Sequence, residues 1–206
     1  MNDLSLLETR VLGTLAEKQH TVPDSYPLTL NALVSGCNQK TSRAPVMEAS
    51  ESEVQASLDS LKRRNLVIES SGSRVARYSQ NVDAVLKVPS QSVAILTVLM
   101  LRGPQTPGEL RINCERLHRF ADISAVEAFL QELAARPAGA LVVQLARLPG
   151  ARENRWAHLL SGTPANTANT ETESSAEDAK PLEARVARLE SEVAELRAAL
   201  DKLRLQ

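Results

Sequence analysis

The chain has 206 residues, of which 43% are hydrophobic and only 2% aromatic, and its formal net charge at pH 7 is −1. That length allows one large domain or two small ones, with cores built from Leu, Val, Ala and Ile. The charge excludes a global basic field as the ground for nucleic-acid binding, and two widely spaced cysteines, Cys37 and Cys114, exclude a disulfide-dense scaffold.

The N-terminus "MNDLSLLETR" lacks a basic segment followed by an apolar one, so a cytoplasmic, reducing setting is expected. Leu4, Leu7, Val11, Leu12 and Leu15 fall at helical spacing and predict a first amphipathic helix. A second apolar segment ends in the polar run "CNQKTSRAPVMEASESEVQ", Cys37 to Gln55. Ala44–Pro45 predicts a non-helical break within it, because the residue before a proline is pushed out of the α region. The run reads as a lengthened turn leading into a third helix. That helix carries Val54, Leu58 and Leu61 on one stripe, with Ser50 or Ser52 as N-cap and Ser52 with Gln55 spaced as a capping box. Two strand-like runs follow, "LVIES" from Leu66 and "RVARYSQ" from Arg74, joined at Ser71–Gly72.

The order then repeats. "AILTVLMLRGPQTPG" from Ala94 resembles "RVLGTLAEKQHTVPD" from Arg10, and "AVEAFLQEL" from Ala125 resembles "EVQASLDSL" from Glu53. The apolar run Ser92 to Leu101 is about half of what a bilayer requires and predicts a buried helix, with no membrane span. Asp122 or Ser124 would cap the last helix, Ser124 and Glu127 being spaced as a box. The strands "ALVVQLARL" from Ala140 and "RWAHLL" from Arg155 are joined through Pro149–Gly150, with Trp156 expected in the core. The fold expected is mainly α with small β-hairpins (α+β), as tandem winged-helix domains over 1–88 and 89–160.

Residues 161–178 contain no aliphatic side chain larger than alanine and read as a disordered linker. Over 179–206, Leu182, Val186, Leu189, Val193, Leu196, Leu200 and Leu203 alternate at spacings of four and three. Valine at a and leucine at d favour a parallel two-stranded coiled coil, hence a homodimer; the alternative is one amphipathic helix packed back on the globular part.

Winged helices present their third helix and hairpin to DNA, so the candidate nucleic-acid-binding residues are Lys40, Thr41, Ser42, Arg43, Lys62, Arg63, Arg64, Arg74 and Arg77. Against this, Glu51 and Glu53 open the third helix, and residues 1–90 hold 10 Lys/Arg against 10 Asp/Glu. A solvated helix C-terminus accounts equally for Lys62 to Arg64. Cys114 and His118 stand at i, i+4 without further Cys or His nearby, so neither a metal nor another cofactor is expected. No Gly-rich phosphate loop, GxSxG or HExxH is present, and an enzyme is not expected.

The segments "YPLTLNAL", "CNQKTSRAPVM" and "EVQASLDSLKRRNLV" resemble the bacterial YceH family, a group of unknown function. The similarity runs through Leu4 to Val67 and more weakly to Leu160, with a similar heptad tail. The resemblance implies a tandem winged-helix fold, supplies no catalytic residues, and makes the polar run a family hallmark. Asn38 and Gln39 thereby join Lys40 to Arg43 as a candidate recognition surface, unless Asn38 and the hydroxyls simply close the turn. Two functions follow: a DNA-binding, regulator-like protein acting through the first domain, or a protein–protein adaptor without nucleic acid.

Overall fold

The computed structural model describes residues 3–70, 75–147 and 150–164. The heptad segment and the linker from residue 165 onward lie outside the described residues, as do Arg74, the Ser71–Gly72 turn and Pro149.

Helix α1 (Leu6–Thr21) starts at a reciprocal cap: the Glu8 amide donates to Ser5 Oγ at 3.1 Å and the Ser5 amide donates to Glu8 Oε2 at 2.6 Å. The helix is buried continuously from Glu8 to Ala16, on every face. It is therefore a central helix, covered well beyond its apolar stripe. A turn of 3-10 helix, Pro23–Ser25, and a two-residue strand β1 (Leu28–Thr29) lead to α2 (Leu30–Cys37), capped by Thr29. Helix α3 (Glu51–Arg63) buries Val54, Leu58 and Leu61, as their spacing predicts. Its cap is Ser50, boxed with Glu53, so the expected Ser52–Gln55 box is not the one formed. Strands β2 (Val67–Ser70) and β3 (Arg77–Gln80) form the expected antiparallel hairpin, Val67 opposite Gln80 and Ser70 opposite Arg77. β1 adds to the outer side of β3, giving the order β1-β3-β2.

A short helix α4 (Val82–Leu86) ends at Lys87 and passes to α5 (Ser90–Arg102), which is buried from Ser92 to Leu101. No described helix is long and apolar enough to cross a membrane. Helix α6 (Pro107–Asn113) opens with a Thr106–Glu109 box, and α7 (Ile123–Ala134) is capped by Asp122, whose Oδ1 accepts the Ala125 amide at 2.8 Å. Ser124 thus lies within α7 instead of capping it. Strands β4 (Val142–Gln144) and β5 (Trp156–His158) pair antiparallel, Val142 opposite His158.

The element order thus repeats in a mixed α+β fold, and the repetition reaches further than the helices. In each half the segment before the second helix pairs with the second hairpin strand: Leu28 with Tyr78, and Gln105 with Trp156. The buried apolar residues form one cluster containing members of both halves, and α1 packs along α5 at its centre. Each buried leucine there contributes roughly 1.5–3 kcal/mol of apolar transfer.

Candidate nucleic-acid interface

The polar run that seemed to interrupt the helices is a built structure. Asn38, the C-cap of α2, donates from Nδ2 to the Ala49 carbonyl at 2.8 Å and accepts the Ala49 amide at Oδ1, also at 2.8 Å. One side chain thereby ties the two ends of the loop together. Within the loop Ser42 adopts a left-handed backbone, φ 58°, and Ala44–Pro45 is cis.

Two buried arginines fill the space beneath. The last carbonyls of a helix lack intrahelical partners and carry partial negative charge. At the end of α2, Arg10 Nη1 donates to the Cys37 carbonyl at 3.2 Å and Arg43 Nε to that of Gly36 at 3.1 Å. Arg10 Nη2 also reaches the Pro45 carbonyl at 2.7 Å. Arg43 grips Glu17 with both terminal nitrogens, at 3.1 and 2.7 Å, and also donates to the Ser42 carbonyl and to Gln39 Oε1. Burial alone would raise the Glu17 pKa, but the hydrogen bonds and charge of Arg43, with Lys18, outweigh it and hold the carboxyl below its ordinary value. Burial also pushes the Arg10 pKa down, as does the neighbouring Arg43 charge. The loop is then fastened to α5: the Ala44 amide donates to the Leu101 carbonyl at 2.8 Å and Arg102 Nη2 to Ser42 Oγ at 2.7 Å.

The nine candidates therefore part company. The Arg43 side chain is 0% exposed and belongs to the interior, not to a solvent-facing surface. Ser42 is half-buried and engaged by Arg102, whereas Lys40 and Thr41 are exposed at the loop tip. On α3, Lys62 lies between Asp59 at 2.8 Å and Glu69 at 2.6 Å, and these hydrogen bonds raise its pKa. Arg63 is exposed; Arg64, half-buried, comes within 3.9 Å of Glu8. Arg77 on β3 donates to the Pro27 carbonyl at 2.8 Å, and Arg74 lies outside the described residues. The first turns of α3 present Glu51, Ser52 and Glu53 to solvent, with Glu53 folded back onto Ser50. Among the described residues, the surface of α3 and the hairpin strands is thus mixed in charge rather than continuously positive.

The remaining singled-out residues are structural. Cys114 is buried, which pushes its thiol up to about 12, and His118 packs edge-on against Phe120 with ring centroids 4.8 Å apart. Trp156 is buried in β5, and burial lowers the pKa of neighbouring His158 to about 4. Among the described residues no three His, Cys, Asp or Glu side chains gather as a metal site. Sequence reasoning missed Arg10 and Glu17. The available signal was Arg10 itself, a charge standing inside the apolar stripe between Leu7 and Val11.

Residues 4–151 match a family model described as "Protein of unknown function, DUF480". The chain is 66% identical over 200 residues to a UPF0502 protein of Dechloromonas aromatica strain RCB, covering 96% of this chain and 94% of that one. It is 56% identical over 210 residues to a UPF0502 protein of Burkholderia cenocepacia strain HI2424, covering 98% and 89%. A UPF0502 protein of Burkholderia lata is 56% identical over 204 residues, covering 96% and 86%.

Proposed function

Since the chain belongs to the DUF480 family, whose function is unknown, we propose that it is a cytoplasmic tandem winged-helix protein acting through protein–protein contact rather than by reading DNA. One observation carries this reading. The cation in the last turn of the proposed recognition helix, Lys62, is paired with both Asp59 and Glu69. A phosphate would have to displace two carboxylates at hydrogen-bond distance, while Glu51 and Glu53 repel it at the other end of α3. The hairpin instead exposes apolar side chains, Ile68 at 50% and Val75 at 56%, of the kind that fits a protein partner. The heptad Leu182 to Leu203 is the segment proposed to join two copies, which would present two such hairpins.

The test has two arms. Binding of random duplex DNA is measured at low salt, where even non-specific binders attach. The expected result is none. Saturable binding with a salt slope that becomes shallower in the Lys62→Ala/Arg63→Ala/Arg64→Ala variant would establish DNA contact by α3 and defeat the proposal. In the second arm, proteins retained by the full chain are compared with those retained by Ile68→Glu/Val75→Glu. A specific partner lost in that variant, with thermal stability unchanged, supports the adaptor reading.

A further inference from the structure

A second feature lies away from the polar loop. Between the end of α4 and the loop from α7 to β4 an open cleft of about 410 Å³ is floored by Leu86, Leu141 and Leu160. Small-molecule sites commonly enclose about 300–1,000 Å³, with apolar walls and a few convergent polar groups. Two cations stand over this floor, Lys87 and Arg136. Among the described residues neither Lys87 nor Arg136 has a carboxylate within 4.0 Å, so both charges are open to an anion. Arg136 spans the cleft by donating through Nη2 to the Leu86 carbonyl, which fixes its guanidinium there. Lys87 holds a left-handed backbone, φ 52°, that residues with side chains rarely adopt. That conformation ends α4, the Lys87 amide donating to the Asp83 carbonyl, and it sets Lys87 at the rim of the cleft. The single carboxylate on the cleft, Asp3, lies against Gly162, where an added Cβ would meet Oδ2 at 2.7 Å. Two cations against one carboxylate leave the cleft positive above an apolar floor.

We propose that this cleft binds a small amphipathic carboxylate, its apolar body over Leu141 and Leu160 and its anionic head between Lys87 and Arg136. The proposal is independent of the adaptor reading. The probe is octanoate, titrated into the isotopically labelled full chain while amide shifts of Lys87 and of residues 136–141 are followed. Octan-1-ol and acetate serve as controls for the head and the body. Saturable shifts with octanoate, and binding weaker by roughly tenfold for both controls and for Lys87→Gln, are expected when a charge-assisted bond and apolar burial act together. Arg136→Gln should weaken binding similarly; because it also loses the Leu86 bond, Lys87→Gln is decisive if that variant unfolds. Absence of saturation at millimolar octanoate, equal binding of octan-1-ol, or unchanged affinity in Lys87→Gln overturns the proposal.

Discussion

Arg43 and Glu17 are an ion pair removed from water, and such pairs are sensitive to losing one member. Deleting the guanidinium leaves a largely buried carboxylate, 17% exposed, with only Lys18 at 3.6 Å to offset it. Arg43→Met should therefore lower stability by about 3–5 kcal/mol in urea unfolding. Arg43→Met/Glu17→Met should lose much less than the sum of the single variants, because the second change removes the stranded charge. The pair also sets an acid limit. The Glu17 carboxyl titrates below its ordinary 4.5 in the folded chain, so as pH falls the unfolded chain takes up the proton first. The stabilisation is complete above the unfolded value and is lost as pH falls below 4.5 through the lower folded value. Glu17→Gln should be less stable than the parent near neutrality and show a flatter decline below pH 4.5, read from urea midpoints. None of these partnerships was legible locally: the sequence shows Arg43 in a polar run, where an exposed role is the natural expectation.

The helices show where local rules suffice and where they slip by one turn position. The stripe of α3, the continuously apolar α5 and both hairpins were legible, because apolar spacing and run length specify what must be covered. The cap of α3 was not, since Ser50–Glu53 and Ser52–Gln55 satisfy the same spacing. Asn38 decides between them by fixing Ala49, the residue immediately before Ser50, through two backbone bonds. Ser50→Ala should accordingly cost about 1 kcal/mol. Ser52→Ala should stay within about 0.5 kcal/mol of the parent, because Ser52 is exposed and its hydroxyl, 3.1 Å from Ser50 Oγ, satisfies no backbone amide of the helix. Thermal unfolding followed by circular dichroism separates the two.

At the scale of the whole molecule, α1 is approached from two sides by other helices, and glycine makes both approaches close. A Cβ on Gly36 of α2 would stand 2.6 Å from Thr14 Cγ2, and one on Gly13 would stand 3.0 Å from the Leu101 side chain of α5. Thr14 is β-branched and buried, so it has little freedom to yield. Gly36→Ala should destabilise by about 1–3 kcal/mol despite alanine's better helix propensity, measurable as a lower urea midpoint at unchanged slope. This close packing explains why α1 is buried all round although its sequence carries Glu8, Arg10 and the threonines among the leucines. Periodicity, turn residues and the internal repeat determined by themselves the order of the main helices and hairpins, the α+β class and the buried α5, because they record which faces cannot meet water; the 3-10 turn, β1 and α4 carried no such signal. Only the tertiary structure decided that α1 is central, that Arg43 faces inward and that Lys62 is neutralised. The reason is physical distance along the chain: Arg43 finds Glu17 26 positions away and Arg10 finds Pro45 35 positions away, separations that no local pattern encodes.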